Sequence, residues 1–243
     1  MGQLCLLLLL GLVLFIRLHD RRPYLAGASL WLCTLKPHLL VPFGLVLLVW
    51  LVLRRNYKII VGLGATLLAS CALTEWMDPA AWQQYLQWAR NSGIQSEFIP
   101  CLSVLLRQST SPTTGWLAFA PAVLASCWAV AFYWRRRARW DWMGDGGVLV
   151  LISIVVAPYG WIWDQALALP ALLHSAYNTK SRLVLGALGV LYLLAQVMQF
   201  AGVPQRSALY LWPALAWAAW NFIARRHRLP TEQEMPAAAV CGE

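Results

Sequence analysis

The stretch Leu32-Cys33-Thr34-Leu35-Lys36-Pro37-His38-Leu39-Leu40 places a lysine, a proline and a histidine in the middle of a long apolar run. A lysine at the centre of a membrane span costs about 2.5–3.5 kcal/mol on insertion, so it persists where it reaches an interface or faces a polar cavity. Pro37 lacks an N–H group and disfavours regular helix in the residue before it. We therefore predict two membrane segments that meet at a bend, with Lys36 and His38 on the bend at a membrane surface.

The composition is that of a membrane protein. Of the 243 residues, 60% are hydrophobic and 12% are charged, whereas a soluble domain has about 25% charged residues. The net charge of +9 lies in short clusters between apolar runs, a pattern typical of topology signals rather than of a nucleic-acid surface. The six cysteines have no spacing typical of a metal site or a disulfide framework. We expect no metal and no cofactor, and the sequence has no soluble-enzyme motif.

The apolar runs predict an all-α, polytopic integral membrane protein. A bilayer core of about 30 Å needs roughly 20 helical residues. On this rule the chain has about nine hydrophobic segments, several of them short enough for two pairs to be hairpins that do not fully cross. The segments are 3–16, 25–35, 37–53, 58–74, 115–134, 146–162, 165–177, 182–202 and 208–224.

The basic residues predict the orientation, because short cytoplasmic loops retain arginine and lysine. Alternate loops contain Arg17, Arg21 and Arg22; Arg54, Arg55 and Lys58; Arg135, Arg136, Arg137 and Arg139; Lys180 and Arg182; and Arg225, Arg226 and Arg228. That side is predicted to be cytoplasmic, with the N-terminus outside and the C-terminus inside. The remaining basic residues then fall on the outer side, so we expect any chemistry to be extracytoplasmic. They are Lys36, Arg90, Arg107 and Arg206.

The longest outer loop, at about residues 75–114, is predicted to contain an amphipathic helix. Asp78-Pro79 is a helix start signal. Two interpretations remain open: the helix rests at headgroup level, or it also covers a groove for a lipid substrate. Its apolar face consists of Trp82, Tyr85, Leu86 and Ala89.

A single transmembrane domain is predicted at 1–228, and it includes this loop. The following residues, 229–243, contain prolines and a run of alanines without apolar periodicity. We expect them to form a disordered cytoplasmic tail.

A second break interrupts the apolar run at Ala157-Pro158-Tyr159-Gly160-Trp161-Ile162-Trp163-Asp164-Gln165. Proline and glycine disrupt the helix, and a charge again lies on the break. Asp164 falls at the same predicted level as Lys36. One cationic and one anionic break on one side of the bilayer predict a shared polar pocket.

Several roles are compatible with the residues of this pocket. Lys36 either extends to the interface or holds a phosphate. His38 is either a structural hydrogen-bond donor or a substrate contact. Asp164 is the counter-ion of Lys36, an orienter of a sugar hydroxyl, or a general base, which would have to lie within about 3 Å of an acceptor hydroxyl. Arg107 either pairs with a phosphate or is an ordinary loop residue.

The order of these features resembles the C-terminal part of glycosyltransferase family 87, the polyprenyl-phosphate-mannose-dependent mannosyltransferases and their relatives of GT-C fold. The resemblance covers about residues 20–224. The matching features are Leu35-Lys36-Pro37-His38, a span that ends at Arg54 and Arg55, the loop residues Trp82 and Tyr85, Ser111-Pro112, and Ala157-Pro158-Tyr159-Gly160-Trp161 with Asp164 shortly after. The family often has glutamine where this chain has His38, and serine where it has Ala157.

The resemblance implies a membrane glycosyltransferase that moves a mannose-like sugar from a polyprenyl-phosphate donor. The acceptor would be a lipid or glycan on the extracytoplasmic face of a bacterial inner membrane. In this interpretation Lys36 holds the donor phosphate, and Asp164 contacts sugar or acceptor and is a weak catalytic candidate. The other expected substrate-binding residues are His38, Trp82, Tyr85, Arg107, Tyr159 and Trp161.

One expected feature of GT-C enzymes is an acidic catalytic residue in the first extracytoplasmic loop. The first outer segment of this chain contains only Met1, Gly2 and Gln3. We therefore expect a truncated or divergent member. Two alternatives stay open: a non-catalytic membrane protein that binds or translocates a lipid carrier, and a truncated product without function.

Overall fold

The computed structural model describes residues 4–91, 98–109, 112–204 and 206–227, and these residues form eleven α-helices and no β-strand. The predicted all-α class is confirmed. The helices are α1 (Leu4–Leu18), α2 (Pro23–Cys33), α3 (Val41–Leu53), α4 (Tyr57–Met77), α5 (Ala81–Asn91), α6 (Leu102–Ser109), α7 (Ala120–Arg136), α8 (Asp145–Val156), α9 (Leu169–Asn178), α10 (Arg182–Phe200) and α11 (Trp212–Arg226). The predicted tail, 229–243, lies outside the described residues, as does Ser111 of the Ser-Pro feature.

Within the described residues, three helical stretches are long and apolar enough to cross a membrane: α4, Trp116–Arg139 (which contains α7) and α10. The bent pair Pro23–Cys33 and Pro37–Leu53 would be a fourth if it is one broken span. The predicted membrane protein is confirmed, but the count of nine segments is not. Other apolar helices, such as α1 and α8, have only 15 and 12 residues and rise about 18–23 Å against a core of about 30 Å.

The first break turns α2 and α3 into a hairpin. The chain direction changes by 117° between Pro23–Cys33 and Pro37–Leu53. Lys36 has φ −140° and ψ 69°, a non-helical conformation, and a following proline disfavours helix at this position. Pro23 and Arg54, at the two ends of the hairpin, line the same cavity. Lys36 is therefore at the tip of a hairpin.

The second break forms a matching hairpin from α8, the 3₁₀ segment Ile162–Ala168 and α9. Its first residue, Asp145, accepts a hydrogen bond from Arg225 in the last turn of α11 at 2.9 Å. Just after the end of α9, the Lys180 N–H donates to the His227 carbonyl at 3.2 Å. Both ends of this hairpin thus lie beside the C-terminal end of α11, and its break lies at the opposite end.

The basic loops meet at one end of the bundle. Asp145 Oδ1 accepts hydrogen bonds from Arg136 at 2.8 Å and from Arg225 at 2.9 Å, which joins the ends of α7 and α11 to the start of α8. Arg54 lies within electrostatic reach of Tyr133, near the end of α7. These contacts agree with the predicted grouping of the basic loops on one side.

An aromatic core fills the space between the first hairpin, α1 and α7. The Trp142 ring lies 5.2 Å from Phe15, 5.4 Å from Phe43 and 5.3 Å from Trp50, measured between ring centroids. All three contacts have edge-to-face geometry, which adds to the free energy of burying the rings. This core holds the first hairpin against the segment that leads into α8.

Glycines bring α2 and α4 into backbone contact. A Cβ atom at Gly27 would overlap the carbonyl oxygen of Ile59, and one at Gly62 would overlap the carbonyl oxygen of Tyr24. Small residues permit this close approach, which is a common mode of helix packing in membranes. The long, mostly lipid-exposed α4 thereby supports the short α2, at whose end Lys36 lies.

Candidate functional site

The two hairpin tips are joined by an ion pair. Lys36 Nζ lies 2.7 Å from Asp164 Oδ1, and the side chains are 16% and 2% exposed respectively. The other carboxylate oxygen of Asp164 accepts the backbone N–H of Trp161 at 3.0 Å. The predicted meeting of the two charges is therefore present, and the contact matches the counter-ion interpretation of Asp164.

Two further contacts hold the tips together. The His38 ring stacks on the Tyr159 ring with a centroid separation of 3.9 Å and an interplanar angle of 22°. The backbone N–H of Phe43, in the first turn of α3, donates to Ser153 Oγ of α8 at 3.2 Å. Because Phe43 N–H has no partner within its own helix turn, this bond from the second hairpin satisfies it.

Polar groups at the tips retain unused hydrogen-bonding capacity. An ammonium group has three N–H donors, and Lys36 makes one hydrogen bond to the described residues, the bond to Asp164. His38 Nε2 is buried and has no hydrogen-bond partner in the described part of the chain. Buried polar atoms are normally paired, so an unpaired one beside a partly exposed ammonium group is typical of a binding site.

A small cleft lies next to the ion pair, between the second hairpin tip, α6 and α11. Its volume is about 70 Å³, and Asp164 is the only carboxylate among the described residues that line it. Gln165 also lines it, and Gln165 Oε1 accepts the indole N–H of Trp217 at 3.0 Å. The remaining lining is largely apolar. The cleft is smaller than ordinary ligand pockets of about 300–1,000 Å³, so it has room for part of an amphiphilic substrate.

The structure brings some of the predicted site residues together and leaves others apart. One cluster at the hairpin tips contains Lys36, Asp164, Trp161, His38 and Tyr159. Tyr85 of α5 lies within electrostatic reach of Tyr159. Trp82 is 46% exposed, and Arg107 is half-buried on α6 and does not line the cleft.

The predicted amphipathic helix is present as α5. Just before the helix, Asp78 Oδ1 accepts a hydrogen bond from the backbone N–H of Ala80 at 2.9 Å. Within Ala81–Asn91 no residue is buried. An apolar face with no buried residue agrees with a helix at headgroup level, and the proximity of Tyr85 to Tyr159 agrees with a helix beside the pocket.

Sequence reasoning missed several residues of the site. Gln165 and Ser153 are ordinary polar residues in apolar segments. Only the packing of the two hairpins shows that Gln165 lines the cleft and that Ser153 accepts a hydrogen bond from Phe43. The position of Gln165 directly after Asp164 was the one available signal. No cluster of three metal-ligating side chains occurs within the four described ranges.

Comparison with known proteins gives one family. No curated protein and no solved structure has a significant match to this chain. The family model described as glycosyltransferase family 87 matches residues 1–171, a region that contains both hairpin tips and ends in α9. The chain therefore belongs to glycosyltransferase family 87, which indicates transfer of a sugar from a donor to an acceptor.

Proposed function

We propose that this protein transfers a mannose-like sugar from a polyprenyl-phosphate donor to a lipid or glycan acceptor. The observation that carries the proposal is the Lys36–Asp164 ion pair at the junction of two hairpins, beside an apolar cleft. A polyprenyl phosphate is an anionic group on an apolar chain, and this region offers a cation next to an apolar surface.

Lys36 is proposed to bind the donor phosphate. Its side chain is 16% exposed and is oriented by Asp164, so its remaining N–H groups can donate to phosphate oxygens without a new rotamer. During transfer the acceptor hydroxyl oxygen bonds to the anomeric carbon, and the bond from that carbon to the phosphate oxygen breaks with its electron pair. The hydroxyl proton passes to the leaving phosphate monoester or to water. The leaving phosphate gains negative charge, which a positioned ammonium group stabilises.

Asp164 is proposed to position Lys36 and to contact the sugar or acceptor rather than to act as base. One of its oxygens accepts from Lys36 and the other from the Trp161 N–H. Because both oxygens already accept other donors, we assign Asp164 to positioning rather than to proton removal. Tyr159, Trp161 and His38 would complete the polar wall around the substrate, and Trp82 and Tyr85 of α5 would guide its lipid.

The basic end of the bundle is proposed to be cytoplasmic and the hairpin tips to open toward the extracytoplasmic face of a bacterial membrane. The positive-inside rule supports this orientation. The proposal includes the GT-C fold and one transmembrane domain over residues 1–228.

The proposal is tested by the variant Lys36→Ala. We expect loss of sugar transfer from a radiolabelled polyprenyl-phosphate mannose donor, because the leaving phosphate loses its cation. Transfer is measured in membranes that contain equal amounts of protein. Lys180→Met, which removes an exposed lysine at the basic end, is the control and should keep full transfer. Full activity of Lys36→Ala would refute the phosphate site.

A second candidate function is binding or translocation of a lipid carrier without transfer. Asp164 is the one carboxylate among the described cleft residues, and both of its oxygens already accept hydrogen bonds. No free carboxylate among these residues is then in place to accept the proton of an acceptor hydroxyl, which favours binding without transfer. Equilibrium binding of the same donor to purified protein distinguishes the two functions. Binding without product formation, over a range of acceptors, would support the carrier function.

A further inference from the structure

A second cavity lies at the basic end of the bundle, far from the hairpin tips. Its volume is about 530 Å³, and its lining includes Arg54, Arg55 and Lys58 from the turn between α3 and α4. Trp50, Trp140 and Trp142 form its aromatic part. The size is within the usual range of ligand sites.

Among the described residues, the basic side chains from the turn between α3 and α4 are not neutralised by ion pairs. Arg54, Arg55 and Lys58 form no ion pair with any carboxylate among the described residues. Asp20 also lines the cavity, but it is 83% exposed and lies 3.3 Å from His19. By contrast, Arg136 and Arg225 at the same end both bind Asp145.

Helix ends do not account for the positive potential. The α2 and α4 helices begin at this cavity, whereas α1 and α3 end there, so their dipole contributions oppose one another. The positive charge comes from side chains, which suits an anionic ligand with a compact charged group.

The tryptophans give the cavity an aromatic, interfacial part. The indole N–H groups of Trp140 and Trp142 are buried and have no hydrogen-bond partner in the described part of the chain. Tryptophan is enriched at the headgroup level of membranes, where its ring is in an apolar layer and its N–H reaches polar groups. The cavity thus has the composition of a headgroup site.

An apolar surface continues from the cavity along α3 and α4. Leu53 is 48% exposed, Tyr57 is 57% exposed, and Ile60 and Val61 follow on α4 at 40% and 57%. These side chains lie within one turn of Arg54, Arg55 and Lys58. An acyl chain would contact them, whereas a soluble phosphate ester would leave them uncovered.

We propose that this cavity binds the glycerophosphate head group of an anionic phospholipid, with an acyl chain along α3 and α4. Arg54, Arg55 and Lys58 provide the charge for the phosphodiester, and the tryptophans surround the glycerol. Basic pockets between membrane helices recognise such head groups by this chemistry. The role of these residues as topology signals explains why they are basic, but it does not explain the cavity or the exposed apolar path that leads from it.

The test compares two variants of equal charge, Arg54→Gln/Lys58→Gln in the cavity and Arg135→Gln/Arg139→Gln, two exposed arginines at the same end. Retention of phosphatidylglycerol and phosphatidylcholine by the purified full chain is measured by native mass spectrometry. We expect the original protein to retain one phosphatidylglycerol in preference to phosphatidylcholine. The cavity variant should bind it roughly tenfold more weakly, since each basic residue contributes to attraction of an anionic lipid, and the control should be unchanged.

Equal loss in both variants would overturn the proposal, because net charge alone would then explain retention. Unchanged retention in both would overturn it as well. Displacement of phosphatidylglycerol by an equimolar amount of glycerol 3-phosphate would show that the ligand is a soluble phosphate ester, and the lipid assignment would fail. If the cavity double variant does not fold, Arg54→Gln and Lys58→Gln are compared singly with Arg135→Gln.

Discussion

Lys36 and Asp164 form a largely buried ion pair, so each charge compensates the other. Asp164 is 2% exposed in its side chain, and removing one partner of a buried pair leaves an uncompensated charge. Replacing both partners by apolar residues of similar size is often neutral or stabilising. Stability and activity should therefore respond differently to single and double substitution.

We expect Lys36→Met and Asp164→Leu each to lower the free energy of unfolding by about 3 kcal/mol. The double variant Lys36→Met/Asp164→Leu should regain most of this stability and remain inactive, because the site then has no charge for the substrate. Thermal unfolding in detergent and the transfer assay measure the two quantities. A double variant as unstable as the single ones would contradict the paired-charge argument, and an active double variant would contradict the proposed site.

Asp145 is the second buried carboxylate at a chain junction, and it holds α7, α8 and α11 together. We expect Asp145→Asn to lower the free energy of unfolding by about 2 kcal/mol, since Arg225 is 17% exposed and loses its ionic partner. The contact with Arg136, which is 52% exposed, adds little. Thermal unfolding measures the loss, and exposed Glu75→Gln is the control. Equal unfolding temperatures would show that the Asp145 contacts are not stabilising.

At the scale of elements, the close crossing of α2 and α4 determines where the first hairpin lies. The crossing depends on Gly27 and Gly62, since each glycine faces a carbonyl group of the other helix. A short helix such as α2, with 11 residues, has little packing area of its own. Its position, and hence that of Lys36, depends on this contact.

We expect Gly62→Ala to destabilise the protein by about 1–3 kcal/mol, because the added methyl group pushes the helices apart. Gly64→Ala is the matched control on the same helix, since a Cβ there meets nothing within 4 Å. Alanine at this second position should be neutral or slightly stabilising, because it favours helix more than glycine does. The midpoint of thermal unfolding is measured for both variants. Equal midpoints for Gly62→Ala and Gly64→Ala would mean that α2 and α4 do not cross this closely.

At the scale of the molecule, the proposed orientation can be tested with single cysteines. Gln87→Cys on α5 should react with a membrane-impermeant maleimide in intact cells, and Arg139→Cys should react only after permeabilisation. Cys71 and Cys127, which are exposed among the described residues, and Cys241, which lies outside them, are replaced by serine in both. The opposite labelling pattern would reverse the orientation and place the proposed chemistry on the cytoplasmic side.

The sequence predicted the helical membrane class and the two charged breaks, because a charge next to a helix breaker is rare inside an apolar run. It predicted Lys36 and Asp164 on one level, but their contact spans 128 residues of sequence. The pairing of Asp145 with Arg136 and Arg225 was not predicted. Arginines in short loops are already explained by membrane topology, so the sequence does not show which of them also form ion pairs. The count of nine segments is not confirmed, since an apolar run shows burial in lipid or protein but not whether the helix reaches the far side.

The sequence separation between the two hairpin tips has a consequence for synthesis of the chain. Lys36 emerges from the ribosome 128 residues before Asp164, and at about 5–20 residues per second this interval is roughly 6–26 s. During this interval the first hairpin is already apolar enough to insert, but its lysine has no counter-ion. Formation of the Lys36–Asp164 ion pair therefore waits for synthesis of the second hairpin.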